Sequence, residues 1–135
     1  MGIKGAARFG RLGAPLMGFA LLLAGGAANV ALAQEDEDAE EKLGRTAQQG
    51  KEIAFDRQKG NCLACHVLPG GDLPGNLGPS LVGVADRLNK ERIRKQIWDP
   101  EQFNTVTSMP PFGKHKIMTE EEIDKVTAYL MTLHY

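Results

Sequence analysis

Cysteine is scarce in this chain: its 135 residues include two, Cys62 and Cys65. A single pair three positions apart excludes a disulfide framework that staples distant segments together. Only three histidines are present, His66, His115 and His134, and they are too scattered to complete a zinc site around those thiols. No segment alternates apolar and polar residues with a period of two, so strands are not expected. A thioredoxin-type use of the cysteine pair therefore lacks the strand–helix–strand setting it needs. Excess positive charge is also missing, with 16 basic residues against 17 acidic ones, which argues against nucleic acid as a partner. A long hydrophobic run is absent as well. The stretch from Leu12 to Ala28 falls short of the roughly 20 apolar residues of a spanning helix, and Gly18, Gly25 and Gly26 loosen it.

That short run instead fits a secretory leader better than a retained anchor. Lys4, Arg8 and Arg11 give it a basic start, and Ala31-Leu32-Ala33 supplies the small residues of a cleavage site. Residues 1–33 are therefore expected to be a signal peptide cleaved after Ala33, which puts the protein in the periplasm with no stable membrane span. Beyond residue 33, 13 basic residues face all 17 acidic ones, a net of −4. Much of the excess lies in Glu35, Asp36, Glu37, Asp38, Glu40 and Glu41. A self-repelling run without apolar anchors reads as a disordered linker, residues 34–44, ahead of one folded domain at 45–135.

The chemistry is carried by Cys62-Leu63-Ala64-Cys65-His66. Two thiols at this spacing followed at once by histidine form a covalent c-type haem attachment site. The thiols would add to the two porphyrin vinyl groups, and His66 would turn a ring nitrogen to the iron. One motif implies one haem c.

The elements around it read as helices. Thr46 and Gln49 suggest a capping box opening a helix over residues 47–57, with Gly50 placed for a close backbone approach. Residues 67–81 are rich in proline and glycine and read as a loop able to pass closely round a flat ligand. A short helical turn is expected within residues 80–88. Asn89 caps a second helix over residues 89–98, which ends where Asp99 precedes Pro100. Trp98 has two open roles, donor to a haem propionate or core residue. The last helix has Thr119 and Glu122 as a capping box, Met118 as a staple onto Ile123, and Ile123, Val126, Thr127, Leu130 and Leu133 on one stripe. The expected fold is all-α, with three main helices around the cofactor.

The sixth position on iron decides the chemistry. Met118 and Met131 are explained by packing, and His115 and His134 by solvent. Met109 lies in Ser108-Met109-Pro110-Pro111-Phe112-Gly113, where two prolines stiffen the backbone and Phe112 can lie beside the thioether. Met109 is therefore preferred over His115. A closed His66/Met109 pair suits electron transfer, and methionine raises the potential relative to two histidines. An open position would suit an enzyme or gas sensor instead.

Gly60-Asn61-Cys62-Leu63-Ala64-Cys65-His66, Gly75-Asn76-Leu77-Gly78-Pro79-Ser80-Leu81 and Met109-Pro110-Pro111-Phe112-Gly113, followed by the closing helix, resemble SoxX. SoxX is the monohaem, class I cytochrome c subunit of the SoxAX complex of thiosulfate oxidation. The resemblance implies Cys62 and Cys65 as thioether anchors, His66 and Met109 as axial ligands, and the Pro79 carbonyl as hydrogen-bond acceptor for His66. It implies that Gly50 and Tyr129 lie where the first and last helices cross. It also implies a heterodimer with a dihaem SoxA-like subunit that holds the catalytic haem. That complex joins thiosulfate to a carrier-protein cysteine, an L-cysteine S-thiosulfotransferase reaction, and its electrons pass to a small soluble cytochrome c. Whether this chain is itself part of an enzyme stays open. A free monohaem carrier for another oxidoreductase would use the same residues. The expected transfer edge lies near Leu63, Ala64 and Val67, with Pro110 and Phe112.

Overall fold

The computed structural model describes residues 26–135, with side chains from residue 37 onward. Four α-helices follow in order: α1 (Gly26–Phe55), α2 (Val84–Arg87), α3 (Lys90–Trp98) and α4 (Glu120–Leu130). Two 3-10 turns, Cys62–Ala64 and Pro100–Gln102, complete the regular structure, and no strand occurs among the described residues. Most of the expected signal peptide lies outside the described residues. Among those described, no helix is long and apolar enough to cross a membrane.

Helix α1 departs from expectation at its start. The backbone is already helical at Gly26, so the acidic stretch is helix where a disordered lead-in was expected, and residues 37–45 are exposed. Its support is local. Glu41 pairs with Arg45 one turn on, and Gln48 Nε2 donates to Glu52 Oε1 at 3.4 Å. Alanine, glutamate, lysine and glutamine are good helix formers. Thr46 consequently sits inside the helix and its hydroxyl donates back to the Lys42 carbonyl at 2.8 Å, so it caps nothing. The other end stops at Phe55, two residues before the expected boundary. The chain then folds back through Gly60 N–H to Ile53 O (3.1 Å) and Asn61 N–H to Asp56 O (2.9 Å).

The later helices follow their local signals. Asn89 accepts the Arg92 N–H at 2.9 Å and opens α3. Thr119 and Glu122 form both halves of a capping box at α4. Glu122 also accepts from Lys59 Nζ at 2.8 Å, and that bond, helped by the Thr119 N–H, holds its carboxyl below the usual glutamate range. Ile123, Val126, Thr127, Leu130 and Leu133 are all buried, and Met118 shares their apolar cluster.

α1 and α4 cross at Gly50, where an added Cβ would overlap the Lys125 carbonyl and crowd the Val126 nitrogen at 2.9 Å. Phe55 and Tyr129 close the same crossing, ring centroids 6.4 Å apart and tilted by 60°. Gly50→Ala should therefore destabilise the holoprotein by about 2–3 kcal/mol, the cost of forcing atoms into packed space. Gly44, in the exposed part of α1, has nothing within 4 Å of the same atom. Gly44→Ala should be neutral or stabilise by about 0.5–1 kcal/mol. Denaturant midpoints of the two variants read the contrast.

Candidate haem site

The helices enclose a cavity of about 940 Å³, at the upper end of the roughly 300–1,000 Å³ typical of small-molecule and cofactor sites. Its apolar wall includes Leu81, Val84, Ile93, Ile97, Phe112, Val126 and Leu130. Cys62, Cys65, His66, Pro79 and Met109 all line it. The five residues singled out in the sequence thus converge on one hollow.

The attachment motif is shaped by its own backbone. Cys65 N–H and His66 N–H both donate to the Cys62 carbonyl, at 3.1 and 2.9 Å. This tight turn brings both thiols and the imidazole to the cavity side. Asn61 enters it in the left-handed region, φ 45°. Both cysteines are free thiols. Burial pushes the Cys62 thiol up to about 11, so it is protonated and poorly nucleophilic near neutral pH. Tyr129, raised by burial and then by the nearby Cys62, has a buried hydroxyl with no hydrogen-bond partner.

The loop of residues 67–81 wraps the motif through backbone hydrogen bonds. Gly75 N–H donates to Leu63 O and Gly78 N–H to Cys65 O, both at 2.8 Å, and Leu81 N–H donates to Val67 O at 2.9 Å. Gly78 lies flat against the imidazole, and a Cβ there would overlap the His66 ring. His66 Nδ1 is 2.7 Å from the Pro79 carbonyl. A carbonyl can only accept, so Nδ1 carries a proton, and in the neutral ring Nε2 keeps its lone pair. That is the tautomer a metal ligand needs.

Across the cavity, the Met109 loop is tied to the end of α3. Phe112 N–H donates to Ile97 O at 3.2 Å, while Gly113 and Lys114 N–H both donate to Trp98 O at 3.1 Å. Met109 N–H donates to the Thr107 hydroxyl at 3.1 Å, and the side chain is half-buried. Met118 also borders the cavity, but from within the core cluster. His115, Met131 and His134 do not line it; His134 Nδ1 lies 2.5 Å from Asp86 Oδ1. Trp98 is not on this wall either. It borders a second, smaller cavity with Gly113, Lys114 and Lys116, which favours its packing role. Phe112 is buried, so it belongs to the wall and not to an exposed edge, whereas Ala64, Val67 and Pro110 are exposed. Sequence reasoning passed over Arg57 and Lys59, cations on the cavity lining, and Arg87, because they become neighbours only after folding.

Two free thiols on one turn, an imidazole whose Nδ1 is bonded to the Pro79 carbonyl, a methionine on the same cavity and apolar walls fit a covalently held haem. Comparison with known proteins agrees. Residues 45–130, more than half of the chain, match the family model described as cytochrome c oxidase, cbb3-type, subunit III. The chain belongs to this cytochrome c family. An uncharacterised lipoprotein of Aquifex aeolicus (strain VF5) is 37% identical over 78 residues, covering 54% of this chain and 36% of that protein. The match thus spans about a third of that relative's length. Among solved structures, SoxXA from P. pantotrophus superposes with a TM-score of 0.60 at 26% identity, over 65% of this chain and 81% of the other. The cytochrome c domain is thus all-α and SoxX-like, as the sequence resemblance implied.

Because the cytochrome domain's apolar residues face a hollow, it should not hold its fold without the cofactor. A Cys62→Ala/Cys65→Ala variant, unable to attach haem, should lose the cooperative thermal transition that the attached form shows by circular dichroism. A sharp native-like melt in that variant would contradict this.

Proposed function

We propose that this chain is a monohaem electron-transfer cytochrome, with haem c held covalently through Cys62 and Cys65 and with His66 and Met109 as axial ligands. The observation that carries this reading is the single cavity lined by both thiols, His66 and Met109, with the His66 ring fixed on Pro79. Haem c, when bound, supplies a one-electron couple.

The chain's own residues do the rest. The Pro79 carbonyl accepts a hydrogen bond from His66 Nδ1–H and orients the imidazole, so the ring need not turn or change tautomer between redox states. The Met109 loop, tied to α3 by three backbone hydrogen bonds, keeps its thioether from swinging away. Phe112, Ile93, Ile97 and Val126 exclude water from the interior. A site held on both sides favours electron transfer over ligand binding, since coordination is unchanged when charge changes.

In the cell, the chain works beside a SoxA-type dihaem subunit as a heterodimer, exported to the periplasm by residues 1–33. The partner carries the catalytic haem for joining thiosulfate to a carrier-protein cysteine. This chain takes the electrons and passes them to a small soluble cytochrome c. Similarity to SoxXA supports that assignment. A second reading, a free carrier serving another oxidoreductase, would use the same residues, and the family match covers the cytochrome c domain without naming a SoxA-type partner.

Native purification from the source cell separates the two. The heterodimer predicts co-elution with a second polypeptide that stains for covalent haem and carries two attachment motifs. Elution as a lone monohaem protein from fresh periplasmic extract would favour the free carrier.

A further inference from the structure

The chain leaves α3 at Trp98, runs through the Pro100–Gln102 turn to Met109, and comes back to Trp98. Gly113 and Lys114 N–H both donate to the Trp98 carbonyl at 3.1 Å, which closes this loop at its base. An added Cβ on Gly113 would overlap the Trp98 ring, so the two sides of the base are in direct contact. Lys114 adds a side-chain link across the same base. Its Nζ donates to Glu101 Oε2 at 2.5 Å and lies 3.4 Å from Asp99 Oδ2. Among the described residues no other ion pair joins the two sides of the loop.

Asp99 is the fixed half of the link. Its side chain is only 13% exposed, and its Oδ1 accepts the Glu101 N–H at 3.2 Å as the cap of the Pro100–Gln102 turn. Glu101 and Lys114 are each half-exposed, so water and salt reach them. Lys114 does not line the haem cavity. Pro110 and Pro111 leave little backbone freedom between Met109 and the base, so a swing of the Met109 segment strains the base. We propose that Lys114, through Asp99 and Glu101, is a positioning residue that holds the Met109 loop closed and sets how fast the sixth coordination position opens. This rests on Met109 being the distal ligand of the iron.

The direction of the effect follows from the charges. Opening the loop separates the ammonium from both carboxylates, and closing it restores them. Without the cation that attraction is gone, and the mostly buried Asp99 carboxylate loses its counter-charge. The loop then opens more often. Two of the three groups are half-exposed, so the effect is modest in size and screened by salt.

The test is stopped-flow binding of imidazole to the ferric holoprotein, at a mildly alkaline pH where the ligand is uncharged. At saturating imidazole the observed rate is the rate at which Met109 leaves the iron. Lys114→Gln should raise that rate about threefold, the scale of an exposed ion pair. The methionine–iron charge-transfer absorption of the resting protein should persist. Raising the ionic strength from about 0.01 M to about 1 M shortens the screening length from about 30 Å to about 3 Å. The parent should speed up over that range while Lys114→Gln stays nearly flat. Glu101→Gln should give a smaller increase, and the double variant should match Lys114→Gln instead of multiplying the two. Lys95→Gln removes a comparable exposed pair, with Glu91 on α3, and should keep the parental rate. A parental rate in Lys114→Gln, multiplied effects in the double variant, or equal acceleration in Lys95→Gln would overturn the proposal. A parent that binds imidazole as fast as Met109→Ala would overturn the ligand assignment itself, and the role of Lys114 with it.

Discussion

The core of this domain is also the wall of its cavity, and that constraint governs the rest of the structure. Val84, Ile93, Ile97, Phe112, Met118, Val126 and Leu130 belong to the buried apolar cluster and line the hollow as well. The helices cannot close on one another without removing the site. A domain of about 90 residues has little apolar surface to spare, so what fills the hollow completes the core. What keeps the frame open from the back is the crossing of α1 and α4, where Gly50 lets one backbone rest on the other.

The two sides of the cavity are built differently and reach the same end. The His66 side is a glycine- and proline-rich loop with no regular structure, yet its amides are committed to Leu63 and Cys65 of the motif and to Val67 just after it. The Met109 side has proline to restrict the backbone and three amide donors hung on the last carbonyls of α3. Neither side relies on side-chain packing alone to aim its functional atom. Rigid loops on a small helical frame give fixed ligand directions, which a one-electron carrier requires and an adaptable binding site does not.

Features encoded within a few residues of one another were legible in the sequence. The thiol–thiol–histidine motif, the Asn89 cap, the Thr119/Glu122 box and the stripe from Ile123 to Leu133 each announce themselves locally, and the structure bears out the two caps and the buried stripe. The Gly50 crossing was legible through its cost: glycine inside a helix needs a reason. Where local signals competed, the reading failed. Thr46 matched a cap, but the helix-forming residues before it carry α1 straight through, and the hydroxyl bonds back to Lys42. Phe112 was also placed at an exposed edge, but it is buried and belongs to the cavity wall. Arg87 could not have been found. Its partners at Ser80 and Val82 are near in sequence, but Tyr135 is 48 positions away and nothing in the composition marks the pair.

The central claim is that His66 and Met109 close the iron from both sides. Mixing the reduced holoprotein with carbon monoxide tests it most directly, with Met109→Ala run alongside. The closed site predicts that the parent spectrum does not change over minutes while the variant forms an adduct on mixing. An immediate adduct in the parent, or a variant whose optical and magnetic spectra match the parent's, would contradict it.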